Sequence, residues 1–124
     1  MKLLLDTHAA LWWLADDECV GDVAERELCD DTNRVLLSAA VVWEVAIKRS
    51  LGKLKAPADM AATLVGAGAQ PLPITFDHAA AVEALPWHHR DPFDRMLVAQ
   101  ALTERAAIVS QDDGLRQYGV SLLW

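Results

Sequence analysis

A chain of 124 residues, 53% of them hydrophobic and 23% charged, is long enough to bury one core and too apolar to be disordered. Its formal net charge of −7 excludes recognition of nucleic acid by bulk positive charge, so an RNA or DNA partner has to be met through metal ions or local basic residues. The stretch Met1 to Asp6 turns acidic too soon for a secretory signal and no apolar run reaches the length of a membrane span, which predicts a soluble, cytoplasmic protein without a membrane partner.

In chain order, Lys2 to Asp6 is a short apolar run closed by an acid, the pattern of a strand buried on both faces. His8 to Ala15 reads as a helix carrying Trp12-Trp13, whose apolar residues spread too widely for one buried face; one indole is therefore expected to stay exposed for a dimer or partner contact. Asp22 to Asp30 is a second helix, and Cys19 and Cys29, which lack a CxxC spacing or zinc-ligand companions, read as small buried side chains in a reducing compartment. Val35 to Ser38 is the next strand, followed by a helix over Ala40 to Leu51 that Gly52 closes in a left-handed conformation. Pro57 opens a helix from Ala58 to about Val65, Leu72 to Ile74 is a brief strand, and Thr75 or Asp77 caps a helix to Leu85. Pro86 to Pro92 is a loop. Phe93 to Arg105 is helical, Ala107 to Ser110 a strand, Asp113 to Tyr118 a short helix, and Val120 to Trp124 a closing strand.

Short apolar strands alternating with helices require crossover connections. The expected fold is a single α/β domain over residues 1–124, with a mainly parallel central sheet of four to five short strands and helices on both faces. Ligands of such sheets bind beyond the carboxyl ends of the strands, where the strand order reverses. If the first and fourth strands are neighbours, Asp6 and Asp112 meet at one crevice.

Four acids, Asp6, Glu44, Asp94 and Asp112, stand at or near the ends of segments that should be buried, where an ionised carboxylate costs several kcal/mol unless donors or a cation replace water. Each also has a structural explanation. Asp6 suits the N-cap of the first helix, Asp91-Pro92-Phe93-Asp94 is a good helix start by capping and macrodipole alone, and either Asp112 or Asp113 suits the cap of the last helix. Glu44 shares a helical stripe with Val41 and Ile47, where an apolar side chain would pack better, and a salt bridge to Lys48 one turn on is its structural alternative. The joint placement of the acids favours a shared hard divalent cation.

The segments Leu5-Asp6-Thr7-His8, Ser38 to Lys48, His89-Arg90-Asp91-Pro92-Phe93-Asp94-Arg95 to Ala101, and Val109-Ser110-Gln111-Asp112 together resemble the PIN-domain ribonucleases, in particular the VapC-type toxins of bacterial toxin–antitoxin pairs, over essentially the whole chain. That resemblance puts the family's four acids on Asp6, Glu44, Asp94 and Asp112. It implies a Mg²⁺ site, open to Mn²⁺, and endonucleolytic cleavage of RNA. It also implies neutralisation by a cognate antitoxin, while a homodimer is expected from the exposed indole of Trp12-Trp13. Ser110 stands where many members carry Thr, which keeps the hydroxyl, while Asp113 leaves the fourth position shared between two neighbours.

On this reading Asp6, Asp94 and Asp112 hold the metal, and Glu44 is either a further ligand or the base that positions water. Thr7, Ser38 and Ser110 are candidates to hydrogen-bond the carboxylates. Arg90 and Arg95 either hold phosphate or pair with Asp91 and Asp94. His8, His88 and His89 lack the spacing of a zinc motif, and zinc is not expected. Two other classes compete: a catalytically silent PIN-like binding module that serves as corepressor with a DNA-binding antitoxin, and a phospho-accepting receiver domain. The first has no need of four acids, and the second needs a late Lys that is absent beyond Lys55.

Overall fold

A computed structural model describes all residues, Met1 to Trp124. Five parallel strands form one sheet: β1 (Lys2–Leu5), β2 (Arg34–Ser38), β3 (Gln70–Leu72), β4 (Ala107–Val109) and β5 (Leu122–Leu123), in the order β3-β2-β1-β4-β5. The helices are α1 (Thr7–Leu14), α2 (Asp22–Leu28), α3 (Ala39–Ser50), α4 (Met60–Gly66), α5 (Phe76–Ala81) and α6 (Pro92–Glu104), with 3₁₀ turns at Val82–Ala84 and Asp113–Tyr118. No helix is long and apolar enough to cross a membrane.

The central strand explains the sheet. Leu3 pairs with Val35 on one side and Ala107 on the other, and Leu4 with Leu36 and Ile108. Leu3, Leu4 and Leu5 are all fully buried although successive side chains point to opposite faces, so both faces of β1 are covered. Each such leucine contributes about 1.5–3 kcal/mol of burial. The chain builds outward from β1 to β2 and β3, then crosses by α5 and α6 to β4 on the other flank. The order therefore reverses between β1 and β4, and the Asp6 amide donates to the Val109 carbonyl at 3.1 Å across that junction.

Local chemistry sets the helix ends. Asp6 caps α1, Ser38 caps α3, Thr75 and His78 form a capping box on α5, and Asp91 with Pro92 starts α6. Gly52 adopts φ +70° past the end of α3, as its place in the sequence requires. Lys2 at the start of β1 pairs with Glu104 at the end of α6 at 3.7 Å, so α6 runs antiparallel to β1 and its first turn lies at the crevice end of the sheet.

Several expectations are corrected. Cys19 and Cys29 are exposed, because α2 buries only Ala24 and Leu28 and leaves Cys29 one residue past its inner face. Neither indole of Trp12-Trp13 is exposed: Trp13 packs on the core, and Trp12 lies between His8 and Trp124, each ring 5.5 Å away. The exposed aromatics are instead Trp43, Phe76 and Trp87. The third strand ends at Leu72 rather than starting there, its Pro71 tolerated because β3 is an edge. Pro57 precedes α4 by a turn, and the closing strand shortens to Leu122–Leu123.

Candidate metal centre

Four stretches of chain bring carboxylates to the carboxyl ends of β1 and β4. A cavity of about 260 Å³ is lined by Asp6, Glu44, Asp91, Asp94 and Asp112, together with Thr7, His8, Lys48 and Leu115. Lys48 is the one ammonium facing these five acids.

Each acid is placed by a local device. Asp6 follows the last residue of β1 in extended backbone, and its Oδ1 accepts the Ala9 amide at 2.7 Å. Burial raises its pKa above the ordinary carboxylate value, against the pull of the Ser110 hydroxyl and the Ala9 amide. Glu44 is buried on the inner stripe of α3; its Oε1 accepts the Thr7 hydroxyl at 2.5 Å, and its Oε2 pairs with Lys48 at 2.6 Å. The structural and functional readings of Glu44 thus coexist, since the ion pair with Lys48 points into the same cavity. Asp91 spends its Oδ1 on the Phe93 and Asp94 amides, at 2.8 and 3.2 Å.

Because Asp91 supplies the cap, the Asp94 carboxyl is left without a capping task. It sits half-buried, and burial first, then the Asp91 charge, push its pKa up to about 6; Glu44 and Asp112 add to the effect and His89 opposes it. Asp112 combines both roles foreseen for its corner. Its Oδ1 accepts the Gly114 amide at 2.9 Å as the cap of the last 3₁₀ turn, and its Oδ2 lies 3.2 Å from His89 Nε2. Asp113 is exposed and points to Arg116 at 3.3 Å, away from the cavity.

Thr7 and Ser110 stand beside the carboxylates: Thr7 holds Glu44, and the buried Ser110 receives the Asp112 amide at 3.0 Å while its hydroxyl acts on Asp6. Ser38 does not join them. It caps α3 through the Ala40 amide at 3.0 Å and donates to Gln100 at 2.5 Å, and neither residue lines the cavity of the acids. Arg95 does not pair with Asp91 or Asp94. One residue past Asp94 the helix has turned by about 100°, so the buried guanidinium donates instead to the carbonyls of Pro86 (2.9 Å), Val82 and Leu85 (both 3.3 Å), with the Trp87 ring 3.8 Å away. Arg90 is exposed on the loop before Asp91.

Three residues enter the site without being expected there: His8, which lines the cavity beside Asp6, Lys48 and His89. Lys48 was visible only as a partner for Glu44. His89 offers a ligand atom within 4.8 Å of those of Asp94 and Asp112; its position before Arg90-Asp91-Pro92 was the available signal, but no zinc-type spacing accompanies it.

The residues fit a divalent cation. Carboxylates drawn together from separate elements raise one another's pKa, and a cation lets them all stay ionised. The five acids offer carboxylate oxygens, the chemistry of a Mg²⁺ or Mn²⁺ site.

The site is thus a carboxylate cluster at the switch point of a parallel α/β sheet. The sequence matches the PIN domain model over residues 3–120, and the chain belongs to the PIN domain family. No curated protein matches it in sequence. Among solved structures it is similar to VapBC2 from Rickettsia felis, bound to a DNA fragment from its promoter, with a TM-score of 0.72 at 15% identity, covering 98% of this chain and 97% of that one. It is similar too to DNA-bound VapBC from Salmonella typhimurium, with a TM-score of 0.71 at 16% identity over 98% of this chain and 96% of that one. FitAcB from Neisseria gonorrhoeae follows with a TM-score of 0.61 at 17% identity over 97% of this chain and 95% of that one.

Proposed function

We propose that this chain is a Mg²⁺-dependent endoribonuclease, with Mn²⁺ able to substitute, acting as the VapC-type toxin of a toxin–antitoxin pair. The observation that carries this reading is the convergence of five acids from four separate stretches on one cavity faced by a single ammonium. Asp6, Asp94 and Asp112 would hold the ion. A divalent ion held there would lower the pKa of water and stabilise charge on the scissile phosphate and leaving oxygen. Glu44, fixed by Thr7 and Lys48, orients the attacking water or adds a ligand. Asp91 holds the first turn of α6 so that Asp94 faces the cavity, and Ser110 steadies Asp6 and Asp112. Arg90, exposed at the rim, meets an RNA phosphate that the chain's overall negative charge would otherwise repel.

A protein partner is supported by an apolar groove between α3, α4 and β3, with Val42, Trp43 and Val65 exposed at its walls. The solved relatives VapBC and FitAcB bear on the same point, and an antitoxin with a basic segment would also complement the acidic cavity. A homodimer and a cytoplasmic setting belong to the same proposal. The DNA in two of those relatives also favours a role beside a DNA-binding partner, which does not compete with catalysis.

The test is RNA cleavage by the purified chain with Mg²⁺, with and without EDTA, followed by sequencing of new RNA ends. Cleavage lost on chelation, together with a melting temperature that Mg²⁺ raises in wild type but not in Asp6→Asn, is the expected result. Cleavage that survives EDTA, or a wild-type melting temperature indifferent to millimolar metal, would overturn it.

A further inference from the structure

Resting on the metal-site reading above, the geometry points to His89 as a nitrogen ligand of the same ion, beside Asp94 and Asp112, giving a site that holds Mn²⁺ in preference to Mg²⁺. One ligand atom from each of these residues lies within 4.8 Å of the other two. The imidazole is not a loose side chain that happens to be near. The His89 amide donates to the Tyr118 hydroxyl at 2.7 Å and its Nδ1 lies 3.1 Å from the same oxygen, while Tyr118 is buried. From α6, the helix that carries Asp94, the buried Arg95 guanidinium pins the segment leading to His89 through the carbonyls of Val82, Leu85 and Pro86. Asp94 and His89 are therefore held by one rigid unit. On the opposite side, Gly114 leaves room for the ring: a Cβ there would stand 3.3 Å from His89 Cε1 and 3.0 Å from Asp112 Oδ1.

The proton arrangement suits a ligand as well as a plain hydrogen bond. Tyr118 takes the His89 amide on one lone pair, which leaves its O–H and a second lone pair for Nδ1. With Nδ1 accepting from that O–H, the Nε2 proton points to Asp112 Oδ2 at 3.2 Å. With the proton on Nδ1 and donated to Tyr118, Nε2 is a free lone pair facing the two aspartates. A ligating histidine ordinarily has its other ring nitrogen anchored in this way. Mg²⁺ keeps to oxygen and gives up water reluctantly, so an imidazole in the set favours a transition-metal ion over it.

The experiment uses the metal-stripped full chain loaded with Mn²⁺ and read by pulsed electron paramagnetic resonance, with calorimetric titration of Mn²⁺ and Mg²⁺ alongside. A ¹⁴N coupling that becomes ¹⁵N on labelling histidine is expected, lost in His89→Gln and kept in His88→Gln. His89→Gln is expected to weaken Mn²⁺ at least tenfold and Mg²⁺ less than threefold, and Tyr118→Phe to weaken Mn²⁺ in the same direction. Absence of a nitrogen coupling in wild type, or equal losses for both ions, would overturn the assignment; the wild-type spectrum needs no variant to fold. If wild type binds neither ion, the metal-site reading falls with it. If Mn²⁺ binds and RNA is cleaved without nitrogen coupling, only the role of His89 falls.

Discussion

α6 contributes to two polar regions, Asp94 to one and Gln100 to the other, and they are built on opposite principles. In the Gln100 region Ser38 donates to Gln100, Gln100 Nε2 reaches the Pro73 carbonyl at 3.4 Å, His78 Nδ1 receives the Thr75 amide at 3.1 Å, and His78 Nε2 meets Glu104 at 3.0 Å. Donors and acceptors balance along this chain, which ends at the surface on the Lys2–Glu104 pair. In the Asp94 region acceptors crowd together with one lysine to answer them. Burial alone does not mark a functional site, since Gln100 and His78 are more deeply buried than Glu44. The imbalance does: a satisfied network stabilises and fixes the core, whereas an excess of carboxylates is tolerated only where something else supplies the charge.

The largest effect should come from breaking the imbalance. Asp94→Asn is expected to lower Mg²⁺-dependent RNA cleavage at least 100-fold, about 2.7 kcal/mol of transition-state stabilisation, measured as kcat/KM on a defined RNA. Without metal the same variant should be as stable as wild type or more so, because one repelling charge is gone and Asp91 still caps α6. The pH dependence has the same origin. In the folded chain Asp94 keeps its proton up to about pH 6, against an ordinary value of 3.8, so the folded state binds more protons between these limits. Its contribution is intact below about pH 4 and is lost as pH rises through 6. Solvent reaching the half-buried carboxyl limits that loss to about 1–2 kcal/mol. Denaturant titrations in EDTA should show a smaller decline in Asp94→Asn than in wild type, the remainder coming from Asp6, whose pKa burial also raises, and saturating Mg²⁺ should reduce it further. A full-activity variant, or one that unfolds, would make Asp94 a structural residue.

The balanced region should respond the other way. Gln100→Ala strands the Ser38 hydroxyl and the Pro73 carbonyl and leaves a cavity, so unfolding by urea should show a loss of about 2–4 kcal/mol. Mg²⁺ affinity of the folded fraction should stay within twofold of wild type. A variant that loses metal at unchanged stability would join the two regions into one functional unit.

What the sequence discloses of these regions follows from the range of the interactions. Leu3 to Leu5 were legible as a doubly covered strand because continuous apolarity is itself the requirement there, and Glu44 because a carboxylate in an apolar helical stripe needs a partner. Asp91 and Pro92 announced the start of α6 by local capping chemistry alone. The helix phase that sends Asp94 to the cavity and Arg95 to the backbone of residues 82 to 86 cannot be read from two adjacent charges, since it depends on where the neighbouring segment runs. Ser38 looked like a companion of the acids, yet its partner Gln100 lies 62 residues away. His89 was undervalued for a similar reason: the hydroxyl that anchors it belongs to Tyr118, 29 residues on. An exposed indole is expected from Trp12-Trp13 because Trp124, which packs against Trp12, arrives only at the far end of the chain.

The finest test separates the two neighbouring aspartates after β4, since the sequence allowed either to be the fourth acid and the structure gives them opposite surroundings. Asp112 lines the cavity, approaches His89 and also caps the last 3₁₀ turn, so Asp112→Ala removes a site oxygen and a cap at once. Cleavage under saturating Mg²⁺ should fall at least tenfold, about 1.4 kcal/mol, and stability by about 1 kcal/mol from the lost cap. Asp112→Asn separates these contributions, because its amide oxygen still accepts from Gly114 while the charge is gone: stability should recover and cleavage should not. Asp113 faces solvent and holds only Arg116, itself exposed, an ion pair worth little in water. Asp113→Ala should change stability by no more than about 0.5 kcal/mol and leave cleavage within twofold of wild type. If Asp113→Ala were the variant that lost activity, the acid excess at this corner would belong to the next residue along. The unbalanced region would then have to be redrawn around a side chain that the fold turns outward.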